Sequence, residues 1–381
     1  VNRTTESIRV VLAMVLTGAL IVVFAVVGVP MGVSTAANVS GCENTAYITS
    51  YVPGSVTVID TLANEVTGTI TVGNEPVGLV VAADGLRAYV ANQGSATVSV
   101  IDTLTGVVTD TIDVGDGPTN IVLSADQTVA YVTNQGDGTV SVVDTVTLTE
   151  LTSIVVGPTP VGLAISADGA TVYVGVFGTD SVVRIDTATN MVVGAPIAAG
   201  LEPVFVAMTP DGSMLYVANA TPGTVTVVDT ATNTIVGAPI TVGEFPTGLG
   251  VTPDGLTLLV TNQDSDTTSV IDTGTGLVTS TITVGSAPTN VSITPDGVTA
   301  YVTNQGDDTV SVIDIATRTV TGTIAVGEAP IGGSVCPARV TTTTTTSTTS
   351  TTMPSPTTTT ATPPTTMSPV MPTPVPPRFT G

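Results

Sequence analysis

The sequence predicts an all-β chain folded as a seven-bladed β-propeller, with four antiparallel strands in each blade. Two periodicities predict it. A tyrosine-centred phrase recurs at Tyr47, Tyr89, Tyr131, Tyr173, Tyr216, Leu259 and Tyr301, at spacings of 42, 42, 42, 43, 43 and 42 residues. A Gly-x-x-Pro keeps step with it, its proline falling at Pro76, Pro118, Pro160, Pro203, Pro246, Pro288 and Pro330. A repeat of about 40–45 residues with four short apolar runs is the pattern of propeller blades, and seven of them close a ring.

Three regions follow along the chain. Residues 1–37 read as an export segment: Arg3 and Arg9 flank a polar start, an apolar run covers 10–29, and Ser34-Thr-Ala-Ala37 offers small residues for cleavage. The apolar run is also long enough to stay as a membrane anchor, about 30 Å if helical. Residues 38–339 carry the repeats. From residue 340 to 381 Thr, Ser and Pro dominate; such a tract builds no core and reads as a disordered spacer open to O-glycosylation.

Residues 118–156 illustrate one repeat. Pro118-Thr-Asn-Ile-Val-Leu-Ser is a first strand, Val129 to Asn134 a second, Thr139 to Asp144 a third with period-two alternation, and Leu151 to Val156 a fourth. β-Branched residues fill these runs and resist helix through restricted χ1. Asp-Gly at 84–85, 168–169, 211–212, 254–255 and 296–297 supplies the positive φ of tight hairpins. An aspartate precedes the third turn of every repeat (Asp60, Asp102, Asp144, Asp186, Asp229, Asp272, Asp314), a periodicity that predicts structural Asx-turns.

The phrases Tyr89-Val-Ala-Asn92, Tyr131-Val-Thr-Asn134, Tyr216-Val-Ala-Asn219 and Tyr301-Val-Thr-Asn304 resemble the YVTN β-propeller repeat family of secreted and surface-layer-type proteins; Tyr47-Ile-Thr-Ser50, Tyr173-Val-Gly-Val176 and Leu259-Val-Thr-Asn262 depart from it. The resemblance spans roughly residues 44–335 and implies a propeller scaffold more than an activity.

The first repeat lacks a complete upstream strand, while the chain has a surplus one at Pro330-Ile-Gly-Gly-Ser-Val335. The C-terminal strand is therefore expected to complete the first blade. Aligned on neighbouring repeats, Cys42 and Cys336 map to the same hairpin turn of that shared blade. A disulfide between them is expected, in keeping with an exported chain.

Composition excludes several chemistries. The chain has no His, no Lys and no Trp, so it has no imidazole for a Ser-His-Asp triad or for haem, and no lysine for a Schiff base. A net charge of −23 repels nucleic acid and anionic membrane surfaces. Membrane contact is expected only through the N-terminal segment, the chain being secreted or anchored by residues 10–29, and a closed ring predicts a monomer.

Site candidates come from the loops of one face. Carboxylates gather there at Glu75, Asp116, Glu202, Glu244 and Glu328, with Asp137, Asp180, Asp264, Asp266, Asp307 and Asp308 beside Gln93, Gln135, Gln263 and Gln305. All-oxygen ligands suit Ca2+ or Mg2+, with Glu75, Asp116 and Glu328 the candidate metal ligands, although no calcium-loop spacing is present and no other cofactor is implied. Phe177, Phe205 and Phe245 break the repeat in three consecutive blades. With Glu202 and Glu244 they form the candidate ligand-binding patch for a protein or glycan at the cell surface. The expectation is thus a non-enzymatic, exported binding or adhesion scaffold. The alternative is a metal-dependent hydrolase, resembling the lactonase-type seven-bladed propellers, with Glu75, Glu202, Glu244 and Glu328 as ligands or base.

Overall fold

Each repeat becomes one twisted sheet, and the seven sheets pack face to face around an axis. The structure is a computed structural model that describes residues 42–52 and 54–337. The export segment or anchor expected over 1–37 and the spacer expected over 340–381 lie outside the described residues. In blade 3, strands Pro118–Leu123, Val129–Asn134, Thr139–Asp144 and Thr149–Val155 pair antiparallel in chain order. The outer strand begins two residues before the predicted start. Val142 faces Thr152 while Val143 faces Glu150, so a bulge at Leu151 absorbs the extra residue.

Blade 1 is closed by both ends of the domain. Pro330–Val335 is its innermost strand, followed outward by Thr45–Ser50, Ser55–Asp60 and Glu65–Thr71. Ala46 pairs with Val335 and Ile48 with Gly333. Cys42 and Cys336 form the expected disulfide, whose loop spans 294 residues. The Cys336 N–H donates to the Thr45 carbonyl at 2.8 Å, and the Cys42 N–H to the Gly85 carbonyl of blade 2 at 3.2 Å. The bridge is thereby tied to two blades.

Burial decays outward. In Val129–Asn134 every residue except Val129 is buried, whereas in Thr149–Val155 only Ile154 is. The second strand is covered on both faces by neighbouring blades, which explains its continuous apolar run. Seven apolar clusters fill the seven junctions. At the last one Tyr301, Val310 and Val312 of blade 7 meet Ala46, Ile48 and Ile59 of blade 1. The recurrent tyrosines also reach across: Tyr173 donates to Asn233 Oδ1 at 3.2 Å and Tyr301 to Asn64 Oδ1 at 2.7 Å.

The two 43-residue spacings have a local cause. In blades 4 and 5 the outer strands shrink to Met191–Val192 and Thr234–Ile235. The segments that follow contain Pro196 and Pro239, and proline removes the N–H that a ladder needs. Pairing resumes at Ile197 and at Ile240–Thr241. All seven aspartates before the third turn accept backbone N–H bonds two or three residues on, as predicted.

Two predictions follow from closure and from titration. Cys336→Ser should lower unfolding free energy by about 2–5 kcal/mol, close to the ceiling for so long a loop, as a shift of the urea midpoint. Reduction of the native protein should give the same shift. Burial first, and then the charge of Asp102 or Asp60, pushes Tyr47 and Tyr301 up to about 12 from 10.0. The folded state keeps these protons after the unfolded chain has lost them, so stability is full below pH 10 and falls between 10 and about 12. The turn aspartates move the other way: hydrogen bonds from Thr105 and Thr147 lower Asp102 and Asp144 from 3.8. Their contribution is present above pH 3.8 and lost as pH falls below it. Thermal melts across pH should show Tm dropping at both ends.

Candidate functional site

The inner strands of all seven blades open with the proline of Gly-x-x-Pro, so their first residues converge at one end of the axis. There they enclose a cavity of about 310 Å³. Val77, Thr119, Val161, Val204, Thr247, Thr289 and Ile331, the second residue of each inner strand, line it. The third residue varies: glycine in four blades, Asn120, Asn290 and Phe205 in the other three. Gly78 allows its neighbour to approach closely, since a Cβ there would fall 2.6 Å from the Thr119 carbonyl oxygen. Asn120, Phe205 and Asn290 all line the cavity, and Asn290 Nδ2 also donates to the Gly333 carbonyl at 3.1 Å.

A larger hollow of about 460 Å³ lies at the other end of the strands, between the turns of blades 7 and 1 beside Cys336. It is a gap between two turns. The axial cavity is where seven strands meet and where the repeats differ, which makes it the better candidate.

The rim is made by the loop after each second strand. The residue four beyond the repeat tyrosine is, in blade order, Tyr51, Gln93, Gln135, Phe177, Ala220, Gln263 and Gln305. The Tyr51 hydroxyl donates to Gln93 Oε1, and Gln93 Nε2 donates to Gln135 Oε1, each at 3.2 Å. Across the mouth Gln263 Nε2 donates to Gln305 Oε1 at 3.2 Å. Two amide arcs thus flank a break at Phe177 and Ala220.

These loops are held by a clamp that joins the two sequence signatures. The asparagine ending the Tyr-Val-x-Asn phrase is fully buried and donates to the third strand: Asn304 Nδ2 reaches Thr309 Oγ1 at 3.0 Å and Ser311 Oγ at 2.9 Å. Its side chain packs on the glycine of Gly-x-x-Pro. A Cβ on Gly73, Gly115, Gly200, Gly243 or Gly285 would fall 2.5 to 2.6 Å from the corresponding asparagine. In blade 6 the Gly243 N–H donates to Asn262 Oδ1 at 3.1 Å.

The residue before each proline takes positive φ, including Glu75 at 54°, Glu202 at 55° and Phe245 at 51°. Only Gly117 announces this in the sequence. Most of the loop aspartates satisfy the turned backbone. Asp137 accepts the Asp116 N–H at 2.7 Å, Asp180 the Glu202 N–H at 2.8 Å, and Asp266 the Ala287 N–H at 2.8 Å. Asp307 and Asp308 do the same for Ser286 and Ala329.

The predicted site residues are therefore dispersed. Phe205 is half-buried, lines the cavity and packs partly against the junction of blades 5 and 6. Phe177 and Phe245 are half-buried on the loops and do not line it. Asp116, Glu244 and Glu328 are exposed, and Glu202 is half-buried. Among the described residues no group of three or more Asp, Glu, Cys or His is placed to hold a metal ion, so Glu75, Asp116 and Glu328 are not gathered as a ligand set.

Glu75 differs from the other carboxylates. It is half-buried, and its carboxylate sits over Gly94, where a Cβ would meet Oε2 at 2.8 Å. The Tyr51 pKa is raised by burial, then by hydrogen bonding to Glu75 and by its charge. Glu75, Tyr51 and Gln93 form one cluster, and Gln93 lines the cavity. Tyr51 escaped the sequence reading. Its signal was present, a phenol where four other repeats place glutamine.

The clamp gives a test. Asn304→Ala should cost about 1–3 kcal/mol in urea unfolding, the penalty for buried partners left unpaired. Amide exchange should quicken in residues 285–288, and a variant with unchanged stability and exchange would remove the clamp from the account.

The family model for lactonases, described as seven-bladed β-propellers, matches residues 101–237 and 206–283. No curated protein matches in sequence. Among solved structures, the chain is similar to Kuenenia stuttgartiensis hydrazine synthase, with a TM-score of 0.67 and 25% identity over 76% of this chain and 99% of that one. It is also similar to a protein of unknown function from Desulfotomaculum acetoxidans DSM 771, with a TM-score of 0.70 and 17% identity over 78% and 100%. A third is a putative 6-phosphogluconolactonase from Bacteroides uniformis ATCC 8492, with a TM-score of 0.66 and 16% identity over 76% and 98%. The last two likenesses speak for the fold. The family match overturns the expectation of a non-enzymatic binding and adhesion scaffold and favours the hydrolase alternative. That expectation drew on the export segment, on the catalytic residue types the composition lacks and on the likeness of the blades, but the blades differ where they meet at the axis.

Proposed function

We propose that the protein is a hydrolase of the lactonase type, acting on a lactone seated in the axial cavity. The observation that carries this reading is the asymmetric rim, which sets one carboxylate, Glu75, beside a phenol and a chain of amides. The match of the lactonase family model supports the reaction class. A disulfide that closes the ring supports an enzyme working outside the reducing cytosol.

The chemistry needs a base, a place for the oxyanion and a proton for the leaving oxygen. The Glu75 carboxylate takes a proton from water as the water oxygen bonds to the lactone carbonyl carbon. The carbonyl π-electrons move to oxygen, and the resulting oxyanion accepts hydrogen bonds from amide N–H groups. Gln93 uses one of its two amide hydrogens on Gln135 and keeps the other for substrate. Collapse of the intermediate breaks the ring C–O bond, and the Glu75 carboxylic acid returns its proton to the departing alkoxide. The product is a hydroxy acid. The Tyr51 hydroxyl stays protonated at neutral pH, because burial and Glu75 raise its pKa, and its one hydrogen goes to Gln93 Oε1 at 3.2 Å, which orients that amide.

The residues present do not fit a divalent ion, for five of the rim aspartates are spent on backbone N–H groups and no group of three carboxylates is placed to hold a metal among the described residues. Turnover should therefore survive EDTA.

Glu75→Gln should lower kcat/KM on a hydrolysable lactone by about 10²–10⁴-fold, the usual worth of a general base, with Tm unchanged. Glu328→Gln, exposed on the same rim, should change it less than about twofold. Equal effects of the two substitutions would reject Glu75 as the base, and absence of lactone hydrolysis by the native protein would reject the reaction.

A further inference from the structure

We infer that the axial site accepts an uncharged lactone and rejects one bearing a phosphate; this rests on the hydrolase reading above. No side chain lining the cavity is ionisable; Glu75 stands outside the lining, on the rim beside Gln93. Its polar groups are the amides of Gln93, Gln135, Asn120 and Asn290 and three threonine hydroxyls, beside the apolar Val204 and Phe205. An anionic substituent would need a guanidinium, an ammonium or a run of free backbone N–H groups to replace its water.

The cations among the described residues are Arg87, Arg184 and Arg318, and none of them lines the cavity. Arg87 starts the strand that ends at Asn92 beside the rim, five residue steps or roughly 17 Å away. Its guanidinium donates to the Thr145 carbonyl at 3.1 Å. Arg318 sits in a turn of blade 7 and donates to the Thr279 carbonyl at 3.2 Å. Arg184 lies on the third strand of blade 4, two strands out from the axis, packed against Gly194.

Around the mouth the charges have one sign. Glu75, Glu202, Glu244, Asp116 and Glu328 join the aspartates that hold the loop backbones. A phosphate dianion entering there meets repulsion, and no cation among the described residues lines the cavity to offset it. The recognition that remains is hydrogen bonding from amides to hydroxyl and carbonyl oxygens and packing of an apolar ring face on Phe205. Those are the terms for a small, neutral, hydroxylated lactone, and a cavity of about 310 Å³ is large enough for one.

The test compares δ-gluconolactone with its 6-phosphate on the full chain, with binding of the non-hydrolysable gluconolactam and of 6-phosphogluconate followed by calorimetry. The neutral lactone should be preferred by at least about a hundredfold in kcat/KM. Raising salt from about 0.02 to 0.5 M should increase turnover of the phosphorylated substrate and leave the neutral one unchanged, because salt screens repulsion. A phosphorylated substrate used equally well, or one whose turnover falls with salt, would overturn the inference while leaving the hydrolase reading intact. If neither lactone is hydrolysed the hydrolase reading fails, and binding alone decides: lactam tighter than phosphogluconate sustains the selectivity, while the reverse, or no binding of either, overturns it.

Discussion

The pairing of Pro330–Val335 with Thr45–Ser50 is the interaction on which the rest depends. Without it blade 1 has three strands, its inner edge is open, and blades 7 and 2 lose a neighbour at the axis. Gly332 shows how tight the junction is: its backbone lies so close to the Val77 carbonyl that a Cβ has no room. The closure is also the contact most costly in entropy, since it joins segments almost 300 residues apart. The disulfide lowers that cost by restricting the unfolded chain.

A closed ring explains why one residue type can be repeated without repeating a function. The asparagine–glycine clamp holds the rim loop in five blades, with Val176 and Ser50 against the glycine in blades 4 and 1, so the seven positions above the cavity correspond by repeat register. Chemical differences at those positions then become differences around one mouth. Tyr51, Gln93 and Gln135 beside Glu75 make one sector polar and acidic, whereas Phe177 and Ala220 make the sector after it apolar. At the next level down, Asn120, Phe205 and Asn290 alternate with glycines and do the same.

Much of this was legible in the sequence because it is periodic or local. Blade number, strand order, the shared first blade, the Cys42–Cys336 bridge and the Asx-turns all follow from register. The site was less legible for three reasons. The clamp joins residues about twenty apart, Asn262 and Gly243 for example, whose contact depends on how an interblade loop folds back. The positive φ before each proline falls on Glu, Thr, Phe or Ala in six of seven blades, residues that do not advertise it. And the large side chains Phe177 and Phe245 drew attention to the loops, while Tyr51 stands in the least regular repeat, where a departure looks like noise.

The aspartates make the strongest case for separating what the fold requires from what the site uses. A left-handed residue before each proline turns its own N–H, or that of the residue before it, out of the ladder and toward the neighbouring loop, where a side chain provides the acceptor. Asp137, Asp180, Asp266, Asp307 and Asp308 supply it, as Ser95 and Ser265 do for Asn74 and Glu244. A negative mouth is therefore a consequence of how the loops are built, whatever passes through it. Counting carboxylates on that face overstates the site, because five of the eleven have a structural task already. Among the described residues Glu75 is the carboxylate whose charge bears on Tyr51, the phenol that donates to the amide chain bordering the cavity, and a chemical role for the rim has to begin there rather than from the charge as a whole.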